Sequence, residues 1–314
     1  MKWIPSWIAR SYCTLYIKKK TDVFEFGEAK SFLEIDDKRK LSRILTQLKE
    51  RGFLFSKRDP VDPRKKLFKL IDPDSIVAAF AIQNKARSKT VTDKLKAVKP
   101  LSYVLGGAYA AYRYHRYVFP GKIDLYVNEE DLGILTALLS EKTIAISIDD
   151  IPSEKAAKEH VHIHSNLTDE LIKESVFIDG LRYLTKEYLV VEGIKQQDKF
   201  SLTDTFAILI VEKRNIDWKK LLDLADREKV IRELGLCLDL VNFETRRFFF
   251  SRMTINQILE RADLSYTMGF PSEVEFSPFS REKEYYREIG KKWNAKIYLS
   301  RAFVSKIVLD LIRR

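Results

Sequence analysis

Residues 41–73 read LSRILTQLKERGFLFSKRDPVDPRKKLFKLIDP, and this stretch decides the fold of the first part of the chain. Leucine and isoleucine recur at helical spacing as far as Leu48, and Gly52 follows at the position where helices commonly end. Two apolar runs, Phe53–Ser56 and Lys66–Leu70, flank a turn rich in proline and aspartate. The stretch therefore predicts an amphipathic helix followed directly by a β-hairpin with a basic tip.

Shorter elements precede this helix. Ser6 to Lys20 has apolar residues near i, i+4 spacing and predicts a helix, and Val23 to Phe26 predicts a short strand. Glu28 to Leu33 predicts a second helix, and Asp36 or Asp37 is a suitable N-cap for the third. This order of a helix, a short helix, a capped basic helix and a hairpin resembles the winged-helix family.

Positive charge is concentrated in the same part of the chain. The net charge is +11, and residues 1–99 hold 24 lysines and arginines against 12 aspartates and glutamates. Residues 100–314 hold 32 basic and 33 acidic residues, so they are almost neutral. A general need for solubility would not produce this division, whereas a polyanion-binding module attached to a neutral body would.

The winged-helix resemblance implies double-stranded DNA as the partner. In that family the third helix enters the major groove, and the hairpin, or wing, meets the phosphate backbone or the minor groove. The expected DNA contacts are polar and basic side chains off the apolar stripe or beside the turn. They are Lys38, Arg39, Lys40, Ser42, Arg43 and Gln47 in the helix and Arg58, Arg64, Lys65 and Lys66 in the wing. A merely solvated charged face and a protein-interaction module are the alternatives.

Residues 100–245 alternate between strand and helix patterns, as in a mixed α/β domain. The apolar run before Gly106 and the alternating run Ile123–Val127 predict strands, and Asp131 is expected to cap a helix over residues 132–139. Further strands are expected at Thr143–Ile148, His160–His164, Arg182–Leu184 and Leu189–Val191, and further helices at Ala108–Arg116, Ser201–Ile210, Trp218–Ala225 and Arg227–Val241. These patterns predict a multidomain α+β protein.

Four segments are predicted along the chain. A winged helix at 1–75 is followed by a helical linker at 76–99, whose second half is polar and basic. The α/β domain at 100–245 is followed by a mostly helical region at 246–314. This last region either packs on the domain before it or forms a dimer interface, as winged-helix regulators often bind two half-sites.

A glycine pair precedes an alternating strand in the second domain. LGG at residues 105–107, a helix, and then IDLYV at residues 123–127 resemble the motif of the nucleotidyltransferase superfamily. The resemblance implies that Gly106 and Gly107 let the backbone approach a nucleotide triphosphate. It also implies that carboxylates alternating along the strand hold Mg²⁺ for phosphoryl transfer.

The carboxylate pattern of that family is incomplete in this chain. Asp124 matches the first carboxylate, but Tyr126 stands where the second is expected, and a phenol does not replace a carboxylate as an Mg²⁺ ligand. Asp149 or Asp150 is the candidate for the third. We therefore expect a degenerate domain without a cofactor, acting as a sensor or scaffold. The alternative is an active Mg²⁺-dependent nucleotidyltransferase that uses these aspartates.

A winged helix followed by a nucleotidyltransferase-like fold is similar to the AbiEi family of antitoxins and transcriptional regulators. The similarity covers residues 1–245 and includes SLTDTFAILIVEKRNIDWKKLLDLA at residues 201–225. It implies a DNA-binding regulator or antitoxin-like protein, with a homodimer and a toxin or other protein as possible partners. A non-enzymatic protein-interaction module is a third interpretation.

Three of the four histidines alternate along one predicted strand. His160, His162 and His164 would project from the same face, about 6.6 Å apart. They are candidate metal ligands, together with a carboxylate such as Asp149 or Asp150. The alternative is a polar strand face turned to solvent.

The remaining patterns exclude several protein classes. No apolar run approaches the roughly 20 residues of a membrane-spanning helix, and the N-terminus lacks the order of a signal peptide. Cys13 and Cys237 are the only cysteines, which argues against a disulfide framework and favours the cytoplasm.

His115, in YRYHRY at residues 112–117, is expected on a helix surface, where the aromatic and basic cluster either packs the domain or binds nucleotides.

Overall fold

A computed structural model of the chain describes residues 5–59, 62, 64–77, 90–97, 102–140, 144–149, 159–271 and 285–313. Its helices and mixed sheets confirm the α+β class. Contacts divide the chain into two units, Met1–Leu105 with Gly121–Tyr183 and Gly106–Pro120 with Leu184–Arg314. This grouping differs from the four segments predicted from the sequence. Among the described residues, no helix combines the length and the apolar character that crossing a membrane requires.

Three helices and a small sheet form residues 5–72, which we call the N-terminal module. The helices are α1 (Ser6–Lys19), α2 (Phe26–Leu33) and α3 (Lys38–Glu50), and the strands are β1 (Phe24–Glu25), β2 (Leu54–Arg58) and β3 (Lys66–Leu70). The strands are antiparallel in the order β1-β3-β2. The order of helices and strands predicted from the sequence is confirmed.

Helix α3 begins and ends where its sequence predicts. The Asp37 carboxylate caps it and accepts hydrogen bonds from the backbone N–H groups of Arg39 at 2.8 Å and Lys40 at 3.3 Å. The apolar stripe of the helix is buried, and its members are Leu41, Ile44, Leu45 and Leu48. Burial of each such side chain contributes about 1.5–3 kcal/mol. The stripe therefore turns the basic face of α3 outward.

A six-stranded sheet has the order β6-β7-β5-β4-β9-β8. Its strands are β4 (Tyr103–Gly106), β5 (Ile123–Val127), β6 (Ile144–Ile148), β7 (Glu159–His164), β8 (Ser175–Ile178) and β9 (Leu181–Leu184). Strand β7 pairs in parallel with both β5 and β6. The β5–β7 register places Asp124 opposite His162 and Tyr126 opposite His164. Polar residues far apart in sequence therefore lie side by side.

Four helices accompany these strands in the sequence. They are α4 (Val91–Ala97), α5 (Gly107–His115), α6 (Glu129–Leu139) and α7 (Asp169–Lys173). The prediction that Asp131 caps α6 is wrong, because the N-cap position is Asn128. Asp131 lies in the first turn beside Glu129 and Glu130. Carboxylates are stabilised there by the positive end of the helix dipole.

Helix α4 lies in the second half of the predicted helical linker, where the sequence is polar and basic. Val91 and Leu95 are buried, and the buried Lys94 Nζ donates a hydrogen bond to the Leu138 carbonyl at 3.0 Å. Because Lys94 occupies a position on the buried face of the helix, the apolar spacing on which a helix prediction depends is interrupted there. Residues 78–89, the centre of the predicted linker, lie outside the described residues.

The second unit is mainly helical after β9. Its elements are α8 (Lys186–Gln196), α9 (Lys199–Val211), α10 (Trp218–Arg227), α11 (Ile231–Thr245), α12 (Arg252–Arg261), β10 (Met268–Phe270), α13 (Arg287–Lys292), β11 (Ala295–Ile297) and α14 (Arg301–Ile312). The prediction of a strand at Leu189–Val191 is wrong, because these residues lie within α8. All three are buried, and a short buried apolar run has the same sequence appearance in a helix and in a strand.

The C-terminal region packs on the helices that precede it. Helix α14 contacts α9 and α11, and Trp293 is buried against Gly235 of α11. This is the first of the two arrangements expected for residues 246–314, and the dimer interface stays a prediction. Residues 272–284 of this predicted helical region lie outside the described residues.

Gly52 follows the end of α3 and packs closely against the end of α6. Its φ is +75°, and a Cβ added there would lie 3.0 Å from the Ala137 backbone and from Ser140 Cβ. We expect Gly52→Ala to lower the free energy of unfolding by about 1–3 kcal/mol, because an alanine at positive φ is strained and the contact is with backbone. Urea unfolding followed by circular dichroism measures the change. Gly121→Ala, which meets nothing within 4 Å, is the matched control, and equal stability of the two variants would contradict this account.

Candidate functional site

The outward face of α3 carries four cationic side chains. Lys38, Arg39, Lys40 and Arg43 are exposed, on the side of the helix opposite its buried stripe. Their side chains have no ion-pair or hydrogen-bond partner among the residues that the structure describes. Nearby carboxylates are engaged elsewhere, since Asp36 pairs with Lys30 at 3.1 Å. The face is therefore an uncompensated positive surface.

A shallow depression of about 450 Å³ runs along this face. It is lined by Lys38, Arg39, Ser42, Arg43, Thr46 and Gln47. Five of these residues are among the predicted DNA contacts, and Thr46 is an addition that its position one turn after Ser42 could have indicated. Gln47 is half-buried, and its amide donates to Glu50 Oε2 at 2.9 Å. Lys40 lies outside the depression, although it shares the exposed surface.

The hairpin supplies a second basic group. Arg58 and Lys66 are paired in the β2–β3 register, and Arg58, Arg64 and Lys65 are exposed. Lys65 Nζ lies 3.4 Å from Glu25 Oε1, so its charge is partly compensated. Residues 60, 61 and 63 of the turn lie outside the described residues. The structure thus places the four predicted wing residues at one end of the hairpin.

A second cluster lies on β5 and β7. The Asp124 carboxylate is buried, and its Oδ1 atom lies 3.3 Å from His162 Nδ1 and 3.3 Å from His164 Nε2. Lys122 Nζ lies 3.1 Å from the same oxygen and 3.4 Å from His162 Nδ1. One carboxylate oxygen is therefore surrounded by two imidazoles and an ammonium group.

The charges in this cluster shift two pKa values in opposite directions. Burial alone would raise the pKa of Asp124, but hydrogen bonds with His162 and His164 and the nearby Lys122 charge hold it well below its usual range. The hydrogen bond to Asp124 raises the pKa of His162 above its usual value, although burial opposes this. The site thus favours an ionised Asp124 carboxylate beside the Lys122 ammonium group.

Asp124 and Asp149 do not belong to one group of possible metal ligands in the described part of the chain. Asp149 lies beyond β6, and its carboxylate accepts hydrogen bonds from Ser165 N and Oγ, each at 2.9 Å. Asp150 lies outside the described residues. Tyr126, at the expected second-carboxylate position, stacks on His164 with ring centroids 4.5 Å apart. Asp124 is consequently surrounded by imidazoles rather than by other carboxylates.

The three histidines lie on one strand, β7, and the carboxylate near two of them is not the one expected. Metal-ligating atoms of Asp124, His162 and His164 lie within 4.8 Å of one another, so the carboxylate near them is Asp124 and not Asp149. His160 is separate, because its Nε2 lies 3.0 Å from Ser147 Oγ. Sequence reasoning missed this combination because strand alternation shows which residues share a face but not which strand lies beside them.

Three further predicted positions, Gly106, Gly107 and His115, belong to the second unit. Gly106 ends β4, and Gly107 opens α5 with φ +54°, which is the turn that the glycine pair predicts. The prediction that His115 is a surface residue is wrong, because only 3% of it is exposed. Its Nε2 lies 3.0 Å from Asp204 Oδ1, and its Nδ1 accepts a hydrogen bond from Tyr117 N at 2.9 Å. Both ring nitrogens of the buried His115 therefore have hydrogen-bond partners. The surrounding arginines and tyrosines were the reason for predicting that this residue is exposed to solvent.

Comparisons with known proteins add one structural similarity. No protein-family model matches the chain, and no curated protein matches its sequence. Among solved structures, the chain is similar to the RV2827C protein from Mycobacterium tuberculosis, with 14% sequence identity and a TM-score of 0.38. The similarity covers 100% of this chain and 97% of that one. A similarity at this TM-score carries no conclusion about function.

Proposed function

We propose that the chain is a DNA-binding transcriptional regulator or antitoxin-like protein whose N-terminal module binds double-stranded DNA. The observation that supports this most strongly is the exposed row of Lys38, Arg39, Lys40 and Arg43 on α3, whose side chains have no partner among the described residues. Four neighbouring cations without carboxylate partners repel one another, and DNA phosphates relieve that repulsion while releasing counterions. The concentration of net charge in residues 1–99 supports the same proposal.

The shape of the module suits this partner. Helix α3 presents one continuous polar face, and a major groove about 12 Å wide admits a helix of this kind. Ser42, Arg43 and Gln47 would meet base edges or phosphates, whereas Arg58, Arg64, Lys65 and Lys66 would meet the backbone beside the groove. Lys38, Arg39 and Lys40 would hold the start of the helix against phosphates.

We further propose that the chain is an AbiEi-type regulator whose predicted α/β domain at residues 100–245 serves as a sensor or scaffold. Support comes from the order of the modules and from Tyr126, which stacks on His164 where a second carboxylate would be required. No second described carboxylate contacts Asp124, and Mg²⁺ takes oxygen ligands. A cytoplasmic location, a homodimer and a toxin partner belong to the same proposal.

The decisive experiment compares two double variants by fluorescence anisotropy on duplex DNA at several salt concentrations. We expect Arg39→Ala/Arg43→Ala to weaken binding by about 10- to 100-fold near 0.1 M salt. The slope of log affinity against log salt should become shallower by about 1.8, or 0.9 for each lost phosphate contact.

The matched control is Lys18→Ala/Lys20→Ala, which removes the same charge from exposed positions at the end of α1. This control should bind duplex DNA within about threefold of the wild type. Equal losses in both variants would mean that net charge, not α3, drives binding. Absence of any binding by the wild type at low salt would overturn the proposed function.

A further inference from the structure

The cluster of Asp124, His162 and His164 is independent of the DNA-binding surface. We propose that these three side chains bind one divalent transition-metal ion of the zinc type, in competition with the ammonium group of Lys122. The candidate ligands come from two strands that pair in parallel, so the sheet itself holds them at their separation. The two neighbours of the histidines on β7, Val161 and Ile163, are fully buried and anchor that strand.

The distances suit a small tetrahedral site. Zinc lies about 2.0–2.2 Å from nitrogen and oxygen ligands, so two ligand atoms of a tetrahedral site are about 3.4 Å apart. Asp124 Oδ1 lies 3.3 Å from His162 Nδ1 and 3.3 Å from His164 Nε2. Two of the three distances between ligand atoms therefore already match a tetrahedral site, and all three ligand atoms lie within 4.8 Å of one another.

The orientation of His162 is the one that metal ligands commonly have. Its Nε2 lies 2.5 Å from the Asp149 carbonyl oxygen, which can only accept a hydrogen bond, so Nε2 carries the proton. The other ring nitrogen, Nδ1, is thereby directed at Asp124. A backbone carbonyl that orients the far nitrogen of a ligating histidine is a recurrent feature of metal sites.

Lys122 shows that the position attracts a cation. Its Nζ is within 3.4 Å of both Asp124 and His162. The side chain of Lys122 is 48% exposed, whereas that of Asp124 is 7% exposed. A lysine on a flexible, half-exposed stem can swing into solvent, while the carboxylate stays in place.

The donor set selects the class of metal. Two imidazole nitrogens and one carboxylate favour zinc, cobalt or nickel over Mg²⁺, which prefers oxygen ligands. The site therefore differs from the Mg²⁺ centre that the nucleotidyltransferase resemblance implies. A metal ion bound here would also be a ligand that the predicted α/β domain could sense, which rests on the proposed sensor function.

The test uses the full, untagged chain with Co²⁺ as a spectroscopic probe and Zn²⁺ as a competitor. We expect one equivalent of Co²⁺ to bind, with visible absorption of a low-coordinate imidazole-ligated ion, and Zn²⁺ to displace it. His162→Gln and His164→Gln should each lower the affinity by about 100-fold. Lys122→Met should raise it by roughly fivefold, because the competing ammonium is removed.

His160→Gln is the matched control, because His160 lies on the same strand face but outside the cluster. It should bind Co²⁺ within about threefold of the wild type. Lack of stoichiometric binding, equal effects of His160→Gln and His164→Gln, or an unchanged affinity in Lys122→Met would overturn the proposal. Circular dichroism of each variant checks that it is folded, and the two histidine variants test the site independently. Arg39→Ala/Arg43→Ala should bind Co²⁺ normally, so failure of this site is distinguishable from failure of DNA binding.

Discussion

Arg232→Met is expected to lower the free energy of unfolding by about 3–5 kcal/mol. Only 4% of Arg232 is exposed, and its guanidinium donates to the carbonyls of Asp263 at 2.8 Å, Tyr266 at 2.9 Å and Asn294 at 2.5 Å. Methionine has a similar length but its side chain has no N–H group, so all three carbonyls lose the guanidinium donor, and in the described part of the chain only the Asn294 carbonyl keeps another one, the backbone N–H of Met268 at 3.2 Å. The loss of local stability should be largest in the segments that contain these carbonyls.

Hydrogen exchange locates this effect. The β10–β11 pair, Met268–Phe270 with Ala295–Ile297, should exchange faster in Arg232→Met, because the guanidinium connects the residues that precede both strands. Arg261→Met is the control, since Arg261 is 40% exposed and pairs with Asp226 at 3.0 Å on the surface. We expect that variant to lose less than about 1 kcal/mol. Similar stabilities of the two variants would show that the buried guanidinium of Arg232 does not stabilise the fold.

Trp293→Ala is expected to destabilise the second unit by about 3–5 kcal/mol. The indole is fully buried, and its Nε1 donates a hydrogen bond to Asp239 Oδ2 at 2.8 Å. Its ring lies on Gly235, where an added Cβ would overlap Cη2 and lie 2.6 Å from Cζ3. The unusual glycine inside α11 is therefore explained by the tryptophan that covers it. Denaturant unfolding of the single variant measures the loss.

A double-variant cycle tests this contact specifically. Gly235→Ala should be destabilising in the wild type, because the methyl group meets Trp293 and Ile258 Cγ2. In the Trp293→Ala background Ile258 can move into the vacated space, and alanine favours a helix over glycine by about 1 kcal/mol. The cost of the substitution should fall by at least about 1 kcal/mol there. An unchanged cost in the two backgrounds would contradict the packing argument.

The two candidate sites differ in how far sequence can predict them. The basic face of α3 depends on spacing within one helix, so the amino-acid sequence is sufficient to place Lys38, Arg39 and Arg43 on it. Sequence patterns also mark Asp124, His162 and His164 as candidates, but for different reasons and with different partners. The proximity of these three residues depends on the parallel pairing of β5 with β7, across a gap of 38 residues between Asp124 and His162.

The sequence by itself determined the N-terminal module, because its signals are local. Asp37 caps α3, Leu41 to Leu48 form its buried stripe, and Gly52 ends it, all within a few turns of one helix. The hairpin that follows depends equally on neighbours in sequence. Local propensity and tertiary packing agree there, so each reinforces the other.

Tertiary structure alone decided which strands are neighbours and which polar residues are buried. His115 is enclosed by Asp204 and Tyr117, Lys94 reaches the Leu138 carbonyl, and Leu189–Val191 is helical. For His115 and Lys94, a partner distant in sequence, Asp204 or the Leu138 carbonyl, supplies a hydrogen bond to the buried polar side chain. Periodicity records which residues share a face, but the free energy of burial depends on what that face meets.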